Sequence, residues 1–478
     1  MKILSLVLFN DLTRKKEAFT PIKPGKVSFY SCGPTVYDFF HIGNARPFIV
    51  FDVLRRWLQH EGYDVTFVQN FTDIDDKMIH RAHREGITVA QLAEKFIAEY
   101  NKDADALGIR RPDVAPRATE HIPEIISTIE RIIANGHAYE SNGDVYFDIK
   151  SWPKYGSLCK QNLEDLEAGA RIEPGEKKKD PLDFALWKAE KPGEPSWPSP
   201  WGNGRPGWHI ECSAMSSKYL GDNIDIHSGG VDLMFPHHEN EAAQSEAASN
   251  SGKPFVNYWL HNGFLLIDSE KMAKSLGNFV TARDALKKYP PLAIRFFMLS
   301  AHYRSPINFT PESLEQSAAG VERLRNCRSD LDFAAKNRIG ESDFDMAGYE
   351  SQLEKLHNDF SDAMNDDFNT AAAMGILFDV VYLINTSLKE NETLPEKFFT
   401  LSKNALDEYD TILGVIGSDD AETEHDEESA EIERLIQERA EARKTKNFAR
   451  SDEIRDSLKA RGIVLEDTPQ GTKWKREL

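Results

Sequence analysis

Apolar positions follow two spacings along this chain, and each predicts a different element. Residues 27–31 form a short apolar run that ends in the turn signal Cys32-Gly33-Pro34, which reads as a strand. From about 46 to 60, Ile49, Val53, Leu54 and Trp57 fall on one helical face. Residues 63–69 read as the next strand. Strand, glycine-containing turn, helix and strand make a βαβ unit, so a parallel sheet with right-handed crossovers is expected. The apolar start at Ile3 to Phe9 follows Lys2 and lacks a small-residue cleavage site. It reads as a first strand rather than a leader.

The pattern changes at about residue 120. A helix is expected at 122–134, then short strands such as 144–148. A polar, proline-rich stretch containing tryptophan runs from 173 to 207. The α/β pattern resumes near Trp208 and continues through 257–267. The intervening stretch therefore reads as an insertion splitting a doubly wound parallel, Rossmann-type α/β domain. Beyond about Thr310 the chain is almost wholly helical in pattern, with Leu314, Val321, Leu324, Leu331, Phe378, Val381 and Leu383 as core positions of an α-helical bundle. The acidic block 418–431 predicts a solvated linker. Helices at 432–444 and 449–460, with a terminal hairpin near 463–475, predict a small C-terminal α+β domain. The expected division is 1–120 and 206–310 for the halves of the catalytic domain, 121–205 for the insertion, 311–417 for the bundle, 418–431 for the linker and 432–478 for the tail.

Composition adds limits. With 40% apolar and 28% charged residues over 478 positions, the chain is ordinary for a soluble globular protein of two to four domains. A formal net charge of -20 argues against a protein that coats nucleic acid, but a local basic face is compatible with it. No uninterrupted run approaches the roughly 18 apolar residues of a membrane helix, so no membrane partner is expected. The four cysteines, Cys32, Cys159, Cys212 and Cys327, are too scattered for a disulfide framework and fit a reducing cytoplasm.

Two short motifs carry candidate chemistry. His41-Ile42-Gly43-Asn44 lies between a strand and a helix start, where free backbone N–H groups and the helix dipole favour phosphate. Lys271-Met272-Ala273-Lys274-Ser275 places two lysines three apart in a loop-like stretch, able to bracket a triphosphate. Alone, each also fits an ordinary surface turn. Together they resemble the two signatures of class I aminoacyl-tRNA synthetases. Further stretches narrow the match: Tyr30 to Asp38, Asn70 to Lys77, Gly207 to Met215 and Phe235 to Glu241. Over essentially the whole chain the sequence resembles the cysteinyl-tRNA synthetase family. Two positions depart from the signatures: Asn44 stands where histidine is usual, and Ala273 where serine is usual.

The resemblance implies one zinc ion held by Cys32, Cys212, His237 and Glu241. His237 and Glu241, four apart, share a face if their segment is helical, and all four side chains are ordinary zinc ligands. From the residues alone, His209, His227 and His238 are rival ligands. The resemblance also implies ATP with Mg2+, L-cysteine and tRNA(Cys) as partners of a monomeric enzyme. His41 and Asn44 would hold phosphates, and Lys271 and Lys274 the leaving pyrophosphate. Gly33, Gly43, Thr72, Trp208, Gly230 and Asp232 would contact cysteine or the adenylate. Two alternatives stay open: a mycothiol-pathway cysteine ligase, which shares this core but lacks the full tail, and a non-enzymatic RNA-binding paralogue.

Overall fold

The strand at the centre of the sheet, Lys26–Ser31, has parallel neighbours on both sides. The structure, a computed structural model, describes residues 5–161, 178–272, 278–417, 426–468 and 471–476. Contacts divide the chain into two units, Met1–Leu314 with Ser361–Ala371, and Glu315–Phe360 with Ala372–Leu478.

In the first unit the sheet order is Val256–Asn262, Ile224–Gly230, Lys26–Ser31, Asp64–Gln69, all parallel. Ile224–Gly230 is buried along its whole length, as expected of a parallel strand covered on both faces. The chain leaves Lys26–Ser31 towards Asp64–Gln69 on one side and later adds Ile224–Gly230 on the other. Strand order therefore reverses between Lys26–Ser31 and Ile224–Gly230, and a crevice opens at their carboxyl ends. The first crossover helix is Ile42–His60, four residues longer at its start than its apolar spacing suggests. His41 is extended and caps it, its Nδ1 accepting from the Asn44 N–H at 3.2 Å.

The insertion is the helix Ile122–Ala134 and an antiparallel sheet of Ala138–Ser141, Asp144–Phe147, Phe184–Ala189 and Gly204–Pro206. Its first hairpin turns at Asn142-Gly143, both at positive φ, the conformation a tight two-residue hairpin needs. The last two strands lie in the stretch whose prolines predict loop. Trp187 is fully buried there and packs with Ile125, Ile129, Ile132 and Phe147. Ile210, Ala214, Ala243 and Ala247 join this core, so the insertion rests on the helices Trp208–Leu220 and Glu239–Ser249.

The helices Pro311–Asn337, Met346–Asn365, Thr370–Glu390 and Glu396–Leu413 follow. Leu314, Val321, Leu324, Leu331 and Val381 are buried as expected. Phe378 and Leu383 are only half-buried, because the inner face of their helix runs through Leu377, Val380, Val381 and Ile384. Thr370–Glu390 is long and apolar enough, by length and composition, to cross a membrane. Asp379, Tyr382 and Asn385 interrupt its apolar run, and those three positions are exposed.

The second unit ends in the helices Asp426–Lys444 and Phe448–Ala460 and the hairpin Ile463–Thr468/Gly471–Arg476. Where the acidic block predicts a linker, the chain is helical from Asp426 onwards; 418–425 lie outside the described residues. The small core here is Ile432, Ile454, Leu458 and Ile463, with Leu465 and Trp474 packed against it. Leu458→Ala is expected to cost about 2–5 kcal/mol. A ~50-residue domain has roughly 2.5–7.5 kcal/mol in total. Limited proteolysis should then cut within 426–476 while 1–417 stays protected, and unchanged protection of the tail would contradict this core assignment.

Candidate active site

Four side chains far apart in sequence meet at the crevice. Cys32 is the first residue after Lys26–Ser31 and Cys212 lies in the helix Trp208–Leu220. His237 lies in a wide turn, Met234–His238, and Glu241 in the first turn of Glu239–Ser249. One ligand atom from each falls within 4.8 Å of all the others, and all four residues are buried. The sulfurs are 4.0 Å apart, and His237 Nε2 is 3.0 Å from Glu241 Oε1. Tetrahedral zinc, with bonds of about 2.0–2.3 Å, spaces its ligands at about 3.3–3.8 Å. Two thiols, one imidazole and one carboxylate converge near that spacing, so the four could hold a metal ion.

The rival histidines are close by. His227 Nε2 is 2.9 Å from Glu241 Oε2, and His238 Nε2 is 3.3 Å from Cys32 Sγ, so Cys32, His227, His238 and Glu241 make a second converging set. His209 reaches only the rim, with its Nδ1 2.9 Å from His237 Nδ1. Behind His238 runs a chain that sequence reading missed: His238 Nδ1 to His261 Nε2 at 2.8 Å, then His261 Nδ1 to Asp11 Oδ2 at 2.8 Å. Nothing in the spacing of Asp11 and His261 signals it, because the sheet brings them together from opposite ends of the domain.

Burial pushes the Glu241 carboxyl up, but His227 and His237 outweigh it and hold Glu241 well below the usual carboxylate range. Burial would lower His237, yet Glu241 and Cys212 bring it up to about 10. A hydrogen bond from the Cys32 thiol draws Cys212 down to about 7, while burial pushes Cys32 up. Burial holds His238 and His209 well below the usual imidazole value.

The remaining predicted contacts surround this centre. Gly33 N–H donates to Asn70 Oδ1 at 3.0 Å, and a Cβ on Gly33 would overlap the Asn70 carbonyl oxygen. Thr72 N–H donates to the Pro34 carbonyl at 3.2 Å, which pins the 32–36 segment beside the next strand end. Trp208 lies against His237 with ring centroids 4.5 Å apart and stays 41% exposed. Gly230 ends its strand, and exposed Asp232 follows in the turn Val231–Leu233.

At the signature motifs the picture changes in one respect. The Ile42 N–H donates to the Val280 carbonyl and the Asn44 N–H to His41, so these two helix-start donors are already committed. At Gly43 a Cβ would crowd His41 and Met272. Lys271 pairs with Leu266 across a short antiparallel ladder, its Nζ 4.3 Å over the Phe264 ring. Lys274 and Ala273 lie outside the described residues. In the tail, Arg439 makes a two-pronged pair with Asp467 at 2.7 and 2.9 Å, and Arg443 joins it at 2.7 Å. Arg450 pairs with Glu438 and Glu453. Arg439, Arg443 and Arg450 are therefore engaged within the tail, and Trp474 packs against the small core.

Solved structures share the fold. The chain aligns with a Mycobacterium tuberculosis methionyl-tRNA synthetase in complex with methionyl-adenylate at TM-score 0.57 and 14% identity, over 82% of this chain and 90% of that one. It aligns with Thermus thermophilus arginyl-tRNA synthetase at TM-score 0.54 and 14% identity, over 85% and 84%. The fold is that of the class I aminoacyl-tRNA synthetases. Family models match the description "tRNA synthetases class I (C) catalytic domain" at residues 18–319, "DALR domain" at 359–417 and "Cysteinyl-tRNA ligase anticodon binding domain" at 425–474. The chain is 54% identical to the cysteine–tRNA ligase of Caldicellulosiruptor saccharolyticus, over 98% of this chain and 99% of that one. It is 53% identical to that of Clostridioides difficile, again over 98% and 99%. The chain belongs to the cysteine–tRNA ligase family.

Gly33→Ala is expected to force the 32–36 segment away from Asn70, at an overpacking cost of about 1–3 kcal/mol. Thermal unfolding should shift down accordingly; an unchanged transition would mean that the close approach at Gly33 is not needed.

Proposed function

We propose that this chain activates L-cysteine with ATP and transfers it to the 3′ terminal adenosine of tRNA(Cys), and that Cys32, Cys212, His237 and Glu241 hold one zinc ion that selects the substrate. The observation that carries this is the convergence of those four ligand atoms within 4.8 Å at the crevice of the parallel sheet. This set is preferred over the one with His227 and His238 because it contains both thiols. When bound, zinc supplies a soft Lewis acid that takes a thiolate in preference to the hydroxyl of serine. An apolar pocket alone rejects such an isostere by only about 100-fold.

In the first step the cysteine carboxylate attacks the α-phosphorus of ATP and pyrophosphate leaves. In the second a hydroxyl of the terminal ribose attacks the adenylate carbonyl and AMP leaves. The chain's own work is orientation and charge stabilisation. Trp208, Thr72 and Gly33 line the cysteine side. Gly230 and Asp232 meet the adenylate at the strand end. His41, Gly43 and Asn44 hold the phosphates of ATP, which carries Mg2+, and Lys271 and Lys274 meet the charge that develops on pyrophosphate. The four free cysteines support a reducing, cytoplasmic setting, and the enzyme acts as a monomer without a membrane partner. The match of 425–474 to an anticodon-binding domain favours tRNA as acceptor over the amino sugar of a mycothiol-type ligase.

Cysteine-dependent ATP–pyrophosphate exchange, followed by charging of purified tRNA, tests the whole reading. Exchange without charging would leave the amino-sugar ligase. Cys212→Ser is expected to lose both zinc, by metal analysis, and cysteine-dependent exchange, whereas Cys159→Ser keeps both. The reverse pattern would overturn the ligand assignment.

Ending the chain after residue 417 addresses the tail. Exchange should persist, the KM for tRNA should rise strongly, and charging should depend less steeply on salt as phosphate contacts are lost. Equal charging efficiency in the truncated protein would show that the tail does not read tRNA.

A further inference from the structure

Arg46 lies one turn into the helix that His41 caps, and it is among the largest fully buried side chains of the protein. Among the described residues no carboxylate pairs with its guanidinium. Four backbone carbonyls do so instead. Nη1 donates to Gly263 at 2.7 Å and Phe264 at 3.1 Å, and Nη2 to Ser305 at 2.6 Å and His302 at 3.4 Å. Burial lowers its pKa to about 10. A buried charge of this kind is costly, and an apolar side chain of similar volume often packs as well or better. Stability alone does not account for a guanidinium here; the segments it joins do.

Residues 263–264 turn the strand Val256–Asn262 into Leu265–Ile267, which pairs antiparallel with Glu270–Lys271 and parallel with Ile307–Phe309. Residues 302–305 lead into Ile307–Phe309. The two segments touch directly: Gly263 N–H donates to the Tyr303 carbonyl at 2.8 Å, and a Cβ at Gly263 would press on the backbone of Arg304 and Ser305. One guanidinium on the His41 helix thus holds the root of the small sheet that carries Lys271. Phe264, whose carbonyl accepts from Nη1, places its ring under the Lys271 ammonium. The return side of the loop is tied to the same motif, with Ile42 N–H donating to Val280 and Ala282 N–H to Phe40, both at 2.9 Å. Asn278 Nδ2 donates to the Lys271 carbonyl at 3.3 Å across the loop base.

We propose that Arg46 is a positioning residue that fixes the distance between the His41–Asn44 motif and Lys271. This rests on the role given to Lys271 in pyrophosphate departure. Positioning makes a testable signature: Arg46 acts through Lys271, so once Lys271 is gone, disturbing Arg46 has nothing further to remove.

Pyrophosphate exchange by Arg46→Lys, Lys271→Ala and the double variant tests this. Arg46→Lys keeps the charge and loses the fork. Its kcat should fall by about 10- to 100-fold, the scale of a misplacement of about 1 Å, with the KM for cysteine nearly unchanged. The double variant should be no slower than Lys271→Ala alone, the non-additivity of a shared interaction. A double variant slowed by the product of the two single losses overturns the proposal, as does full kcat in Arg46→Lys or a loss confined to the KM for cysteine. If Lys271→Ala itself exchanges at the normal rate, the role of Lys271 fails first and the proposal with it. Should Arg46→Lys not unfold cooperatively, Phe264→Leu leaves the guanidinium intact and removes the ring beneath Lys271. It should show the same non-additivity with Lys271→Ala, and additivity there overturns the proposal equally.

Discussion

Glu241 has no contact with solvent, and its two oxygens face His227 at 2.9 Å and His237 at 3.0 Å. A carboxylate in such a place is unfavourable unless charge and hydrogen bonds reach it from all sides. The fold answers with partners from separate elements: an imidazole from the strand Ile224–Gly230, another from the turn before its own helix, and the Cys32 thiol from the end of Lys26–Ser31. Because those partners sit on different strands and helices, the arrangement holds only if the parallel sheet has its register right. A slip of one residue along Ile224–Gly230 would turn His227 to the opposite face. The charge of one buried group therefore constrains the sheet, the crevice and the donor set together.

The cluster around Glu241 and the two signature motifs occupy different kinds of structure. The cluster is built on a strand end, a turn and two helices at buried positions, where small displacements are resisted by packing. His41–Asn44 and Lys271 are more exposed, and what joins them is backbone hydrogen bonding and the buried fork of Arg46.

Local pattern carried much of the architecture. The βαβ unit, the insertion helix at 122–134 and the terminal helices follow from apolar spacing. Where sequence and structure differ, an interaction invisible to spacing is responsible. The first crossover helix starts at Ile42 because an imidazole can cap it. Phe184–Ala189 forms a strand despite its proline-rich surroundings because Trp187 has a core to fill. The acidic block, read as linker from its charge alone, is helical from Asp426 onwards. Within the site, the grouping of Cys32, Cys212, His237 and Glu241 was legible through family resemblance and not from spacing, since the cysteines are 180 positions apart. The Asp11–His261–His238 chain was not legible at all, as it exists only across a completed sheet.

The placement of Lys26–Ser31 in the middle of the sheet has a consequence for synthesis. Cys32 and Glu241 are separated by 209 positions, and the strand beside Cys32 on that side, Ile224–Gly230, is made almost as late. At about 5–20 residues per second, roughly 10–40 s pass between emergence of the first thiol and of the carboxylate it meets. For that interval one edge of Lys26–Ser31 has no neighbour, although Asp64–Gln69 can already cover the other. The nascent chain must therefore keep an apolar strand edge and a free thiol out of harm on the ribosome, long before the pocket that uses them can close.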